Sequence, residues 1–156
     1  MPESERESAP AVQAPSPATS SGQGLAPLRV REKLALVAEI LGAYVVVRRR
    51  MMSENDIRVI VAHLRGAGGG ERRCDRPLAR RLARAVTRTL TPLPTDNRCL
   101  ARSLVLDRLL ERRSLQSVVV VAARSEPDFA AHAWVEHDGL AVLPPGSSSY
   151  QRLIEL

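Results

Sequence analysis

Aromatic residues are scarce in this chain: among 156 residues there are one Trp, two Tyr and one Phe. Lysine is scarcer still, with Lys33 alone, so nearly all of the positive charge is arginine. Only two cysteines occur, Cys74 and Cys99, which excludes a disulfide framework and fits a reducing compartment. Neither lies in a C-x-x-C or comparable spacing, and no metal or cofactor motif is present. No long apolar run exists either. The most apolar window, Leu34 to Val47, is interrupted by Glu39 and Gly42 and is shorter than the roughly 20 residues needed to cross a bilayer. The first residues, MPESERESAP, carry acid where a secretory signal would need base, so the expected location is the cytoplasm, with no membrane partner.

The hydrophobic share of 44% is enough for one core. Residues 1–27, rich in Pro, Ser, Ala, Gln and Glu, cannot bury enough apolar surface to offset ordering and are expected to be a disordered tail; residues 28–156 then form a single domain. The net charge of +6 and pI near 10.5 would suit phosphate. An arginine bias beside abundant Ala, Val and Leu is also what a GC-rich genome produces, so nucleic acid is not the favoured partner.

Helical spacing runs from Leu28 to Arg50 through Leu34, Val37, Ile40, Leu41, Tyr44, Val45 and Val47, with Arg48 to Arg50 at the end. Ser53 and Asp56 suggest a cap for a second helix carrying Ile57, Ile60, Val61 and Leu64, on which His63 reads as an ordinary helix histidine. GAGGG, residues 66–70, lacks the spacing of a phosphate or dinucleotide loop and reads as a connector. A third helix follows from Pro77 to Leu90. With Arg72, Arg73 and Arg76 before it, it forms the most basic part of the chain, a solvated face or a dock for an acidic partner.

TPLPTDNR, residues 91–98, ends that helix and offers Thr95, Asp96 or Asn97 as the next cap, which puts Cys99 in a first turn whose unpaired amides suit a thiolate. The helix continues through Leu100, Leu104, Val105, Leu106, Leu109 and Leu110, apolar on more than one side and therefore buried. Cys74, in ERRCDR, has no histidine near it in sequence and reads as incidental. SVVVVAAR, residues 117–124, has the density of a central strand. In AAHAWVEH, residues 130–137, alternation puts His132, Trp134 and Glu136 on one face. Asp138-Gly139 is a type I′ turn signal, with LAVL returning as partner. Helices followed by strands imply an α+β fold.

A thiol on a buried helix and an imidazole on a strand are the minimum for cysteine nucleophilic catalysis. CLARSLVLDRLLERR, then a valine-rich strand, then F-x-AHAWVE-x-DG, together resemble the lasso-peptide leader peptidases of the transglutaminase-like, papain-related cysteine protease superfamily. The resemblance is dense over residues 98–142 and looser from Leu28 to Arg88. It implies a minimal transglutaminase-like fold with N-terminal helices, a buried helix carrying the cysteine and a small antiparallel sheet. It further implies Cys99 as nucleophile and His132 as base, with Arg98, Ser103, Trp134 and Glu136 in the motifs but without catalytic roles. The implied substrate is a ribosomally made precursor peptide, and the implied partners are a small leader-recognition protein and a lasso cyclase.

The family's acid would fall about twelve residues beyond the histidine, on Pro144, and counting outward from the turn sets Pro145 opposite His132. Neither side chain accepts a hydrogen bond. Asp128, Ser147 or a backbone carbonyl are the remaining candidates to orient His132. Two alternatives use the same residues: a non-catalytic peptide binder gripping through Phe129, Trp134 and Tyr150, or an acyl or amide transferase.

Overall fold

The structure is a computed structural model that describes residues 29–65, 73–93, 98–146 and 149–156. The expected tail, the 66–70 connector, the candidate cap Asp96 and Ser147 lie outside these. Among the described residues the order is α1 (Val30–Ser53), α2 (Ile57–Arg65), α3 (Arg76–Leu90), α4 (Arg98–Glu111), β1 (Val118–Arg124), β2 (Ala130–His137), β3 (Leu140–Ala141) and β4 (Gln151–Glu155). Helices precede strands, and the sheet is antiparallel throughout in the order β3-β2-β1-β4. This is the α+β arrangement expected.

Helix α4 is the central element, in contact with α1, α2, α3, β1 and β2. Its apolar residues fall on several sides because its neighbours do: Leu104, Val105, Leu106, Leu109 and Leu110 are all fully buried. Helix α1 is used on a narrower face than its pattern suggests. Ile40, Ala43 and Val47 enter the core, whereas Leu34, Val37, Leu41 and Val45, roughly a third of a turn round at 100° per residue, remain exposed. The core-helix expectation for this window therefore holds for one stripe only.

Capping fixes the shorter helices. Ser53 is not the cap of α2: it ends α1, where its hydroxyl donates back to the Arg50 carbonyl at 3.2 Å. Asp56 takes the role instead, its Oδ1 accepting from the Arg58 amide at 2.8 Å. Asp75 caps α3 through the Leu78 amide at 3.0 Å. The next residues are Arg76 and then Pro77, whose missing amide would have had no intrahelical partner. His63 stays within its own helix among the described residues, its Nδ1 lying 2.8 Å from the Val59 carbonyl.

Strand β1 is central, and Val119, Val120 and Ala122 are fully buried on both of its faces, hence the unbroken apolar run. In β2 the expected alternation is present: His132 pairs with Ala122, Trp134 with Val120 and Glu136 with Val118, all on one face. Asp138 and Gly139 have φ of 53° and 68°, the left-handed pair of a type I′ turn. The return strand is shorter than LAVL. Only Leu140 and Ala141 pair, after which the Val142 and Leu143 amides both converge on the Val135 carbonyl at 2.9 and 3.4 Å. Pro144 and Pro145 then have no amide to continue the ladder.

Two polar anchors lock the layers. Asp107, wholly buried in the middle of α4, accepts from Arg65 Nε at 3.1 Å and Nη2 at 2.8 Å and from the Ser117 hydroxyl at 2.7 Å. The same Arg65 Nη2 donates to the main-chain oxygens of Ser117 and Leu156 at 3.1 and 2.9 Å. Glu39 on α1 meets Arg113, just beyond α4, with contacts of 3.1 and 2.6 Å. The Arg113 hydrogen bond, with the charges of Arg113 and Arg112, holds the Glu39 carboxyl below its ordinary value of 4.5 against a smaller opposing effect of burial.

Removing the Asp107 carboxylate leaves a largely buried guanidinium without its counter-charge, a defect costing about 3 kcal/mol or somewhat more. Asp107→Ala is expected to lose that much in urea unfolding, and a loss below about 1 kcal/mol would show that the pair is not a structural anchor. For Glu39 the folded pKa lies below the unfolded one, so its stabilisation is complete above the unfolded value and is lost as pH falls through the folded value. The stability gap between the parent and Glu39→Gln should be constant above about pH 5 and shrink below about pH 4. A gap that persists unchanged into acid would assign it to packing.

Candidate active site

The hairpin and α4 together set the site. Cys99 is the second residue of α4, half-buried and unoxidised, in the first turn as expected. Its helix packs directly on β2, the strand that carries His132. Arg102 ties α4 to the end of α3, its Nη2 donating to the Thr91 hydroxyl at 3.1 Å. Ser103, one turn below Cys99, is fully buried.

His132 is held on three sides. Its Nε2 lies 2.9 Å from the Pro144 carbonyl oxygen. A carbonyl can only accept, so Nε2 carries the proton, and in the neutral ring Nδ1 is the nitrogen with the free lone pair. Trp134 stacks beside the ring with centroids 6.1 Å apart and an interplanar angle of 25°. Tyr150 closes on it from the start of β4 at 5.6 Å and 47°.

The group that steadies His132 is thus the main chain at Pro144, the residue on which the family's acid was expected to fall. Asp128 is exposed and does not reach the ring. The pairing of His132 with Pro145 expected from the hairpin count is corrected: the ladder stops at Ala141, and the displaced strand turns the Pro144 carbonyl inward. Gly146 completes the turn. Its φ is +80°, and a Cβ placed on it would lie 3.1 Å from His132 Cδ2 and 3.1 Å from Tyr150 Cδ2. Only a glycine accommodates both the backbone conformation and this approach.

Glu136 and Trp134 have structural work of their own. The Trp134 indole donates to Glu136 Oε1 at 2.9 Å, and the same oxygen accepts from Arg152. Arg152 also bonds Glu155 at 2.5 Å and lies over the Trp134 ring, 5.7 Å from its centroid. Its pKa is pushed up by the hydrogen bond it donates to Glu155 and by the charges of both carboxylates. Trp134 is only 3% exposed, which removes it from the expected peptide grip, whereas Phe129 is 79% exposed.

The segment that holds the second cysteine is joined in the fold to a second histidine, a link unseen in the sequence. Cys74 is exposed, and the amide of its neighbour Asp75 donates to His137 Nε2 at 3.1 Å. His137 Nδ1 lies 2.5 Å from the Gln116 carbonyl. With Nε2 accepting and Nδ1 donating, both nitrogens are engaged, and the ring is 1% exposed. This histidine pins residues 73–75 to the hairpin and has no lone pair to offer a thiol. Among the described residues no group of three His, Cys, Asp or Glu could hold a metal ion, and no helix is long and apolar enough to cross a membrane.

No curated protein and no solved structure gives a significant match to the chain. The family model described as the Transglutaminase-like superfamily matches residues 41–155, from the middle of α1 to the last residue of β4. That span takes in the helix that carries Cys99 and the strand that carries His132, its superfamily is commonly one of cysteine peptidases or transferases, and the chain belongs to the transglutaminase-like superfamily.

Proposed function

We propose that this protein is a cysteine peptidase in which Cys99 attacks and His132 relays the proton, and that it removes the leader from a ribosomally made precursor peptide in lasso-peptide maturation. The observation that carries the catalytic part is the 2.9 Å contact from His132 Nε2 to the Pro144 carbonyl. It supplies the orienting group that a working dyad needs. The substrate assignment rests on the sequence resemblance over residues 98–142, with a leader-recognition protein and a cyclase as the accompanying partners.

In this reading Nδ1 takes the Cys99 proton, and the thiolate adds to the scissile carbonyl. The imidazolium then protonates the departing amine, and water hydrolyses the thioester by the same path in reverse. The Pro144 carbonyl fixes the tautomer and the ring plane. As a neutral acceptor it stabilises the imidazolium less than a carboxylate would, because hydrogen bonds with an ionised partner are roughly twice as strong. A cysteine nucleophile tolerates this better than a serine.

The test is incubation of the full chain with the neighbouring precursor and recognition protein, followed by mass analysis, which also separates a hydrolysed product from a transferred one. Cys99→Ala should abolish release, and His132→Ala should slow it by about 10²–10⁴-fold. Cleavage by Cys99→Ala at the parent rate would refute the assignment. Gly146→Ala should lower kcat about tenfold or more with little change in KM, because it tilts the His132 ring without touching a substrate surface. Unaltered kcat in a folded Gly146→Ala would mean that the turn does not position the ring.

A further inference from the structure

Every guanidinium on the sheet face of His132 has an evident partner except one. Residues two apart on a strand share a face, so Arg124, which pairs with Ala130, lies on the side of His132, which pairs with Ala122. Arg152 on that face is bound to Glu136 and Glu155. Arg124 forms no ion pair among the described residues, although Glu126 and Asp128 follow it closely in the chain. Its Nε is buried and has no hydrogen-bond acceptor among the described residues.

The position of this charge is fixed. The guanidinium carbon sits over the Tyr150 ring, 5.6 Å from its centroid, and Tyr150 in turn packs on His132 at 5.6 Å. An arginine held by ring stacking keeps its fork of donors in one plane with its edges available. A buried donor without an acceptor calls for an explanation; of the four such atoms among the described residues, on Arg102, Ser103, Arg108 and Arg124, only that of Arg124 lies on a strand beside His132. An anionic oxygen pair is the acceptor that matches a guanidinium edge in both charge and geometry.

We propose that Arg124 reads an acidic side chain of the peptide substrate close to the scissile bond. This rests on the reading of His132 as the general base, since that sets where the peptide lies. Arg124 is two positions along the ladder from the His132 pair, and an extended peptide rises about 3.3 Å per residue, so the acidic residue falls roughly two or three positions from the bond cleaved. Tyr150 serves as the wall between the two sites: it touches the histidine on one side and the arginine on the other. Arg124 is accordingly a specificity residue with no part in the chemical step.

Two measurements test this on the full chain. The first uses internally quenched hexapeptide pools carrying Asp or Glu, or the matching Asn or Gln, at each position in turn. One position should favour acid over amide at least tenfold in kcat/KM, and Arg124→Gln should bring that ratio to near one. Arg124→Glu should reverse it towards Lys at the same position, a gain that a misfolded variant cannot show. The second measurement uses Cys99→Ala and the same pools, reading binding by the fluorescence of Trp134, the chain's one tryptophan, which stacks beside His132. Acidic pools should bind at least tenfold more tightly than amide pools, again only with Arg124 present.

Cleavage without an acidic preference, or a preference that survives Arg124→Gln, overturns the role of Arg124 and leaves the peptidase reading standing. Arg124-dependent binding of acidic pools without any cleavage has the opposite meaning. Pools with free and amidated C-termini distinguish a side-chain carboxylate from a terminal one: a preference confined to free C-termini overturns the side-chain assignment.

Discussion

A single buried carboxylate in the middle of α4 determines how the layers meet. Asp107 has no exposed surface, so it is tolerable only because the Arg65 fork and the Ser117 hydroxyl together satisfy it. Arg65 ends α2, Ser117 precedes β1, and the Leu156 oxygen that Arg65 also reaches follows β4. Three other parts of the chain therefore converge on one helix position. Cys99 lies eight residues, about 12 Å along the same helix, from that clamp, so anchoring Asp107 also fixes the direction in which the first turn is presented.

The hairpin strand carries two histidines that differ in what their surroundings leave available. His137 has both nitrogens committed, one to the Gln116 carbonyl and one to the Asp75 amide, inside a nearly closed environment. His132 has its Nε2 committed to Pro144, and among the described residues its Nδ1 has no partner. They are five residues apart and hence on opposite faces of β2. One therefore works as a fastener and the other retains a basic lone pair, with main-chain oxygens orienting both.

Much of this was legible from pattern. The α4 stripe, the valine run of β1, the alternation that sets His132 beside Trp134 and Glu136, and the Asp138-Gly139 turn all reflect local periodicity or local backbone preference. The elements that escaped depend on tertiary contacts. Strand β4 is an edge in which Gln151, Arg152, Leu153 and Glu155 are all exposed, so it has no contrast between faces to read. The role of Asp107 left no local signal because its partners lie 42 and 10 residues away. The pairing of Asp75 with His137 spans 62 residues. The orienting oxygen at Pro144 could be offered only as one of several candidates, since a carbonyl occurs at every position and where it points depends on the break in the hairpin ladder.

That last feature changes what kind of genetic damage the site can suffer. A triad built on a side-chain acid is lost by one missense change at that codon. Here the acceptor is part of the polypeptide itself, so no substitution at its own codon deletes the oxygen. What can remove it is a change in the path of residues 142–146, through an insertion, a deletion or the loss of the left-handed glycine. The hazard has moved from the identity of one residue to the length and curvature of a short loop, and drift among descendants of this sequence should be freer at Pro144 than in the spacing that separates it from the turn.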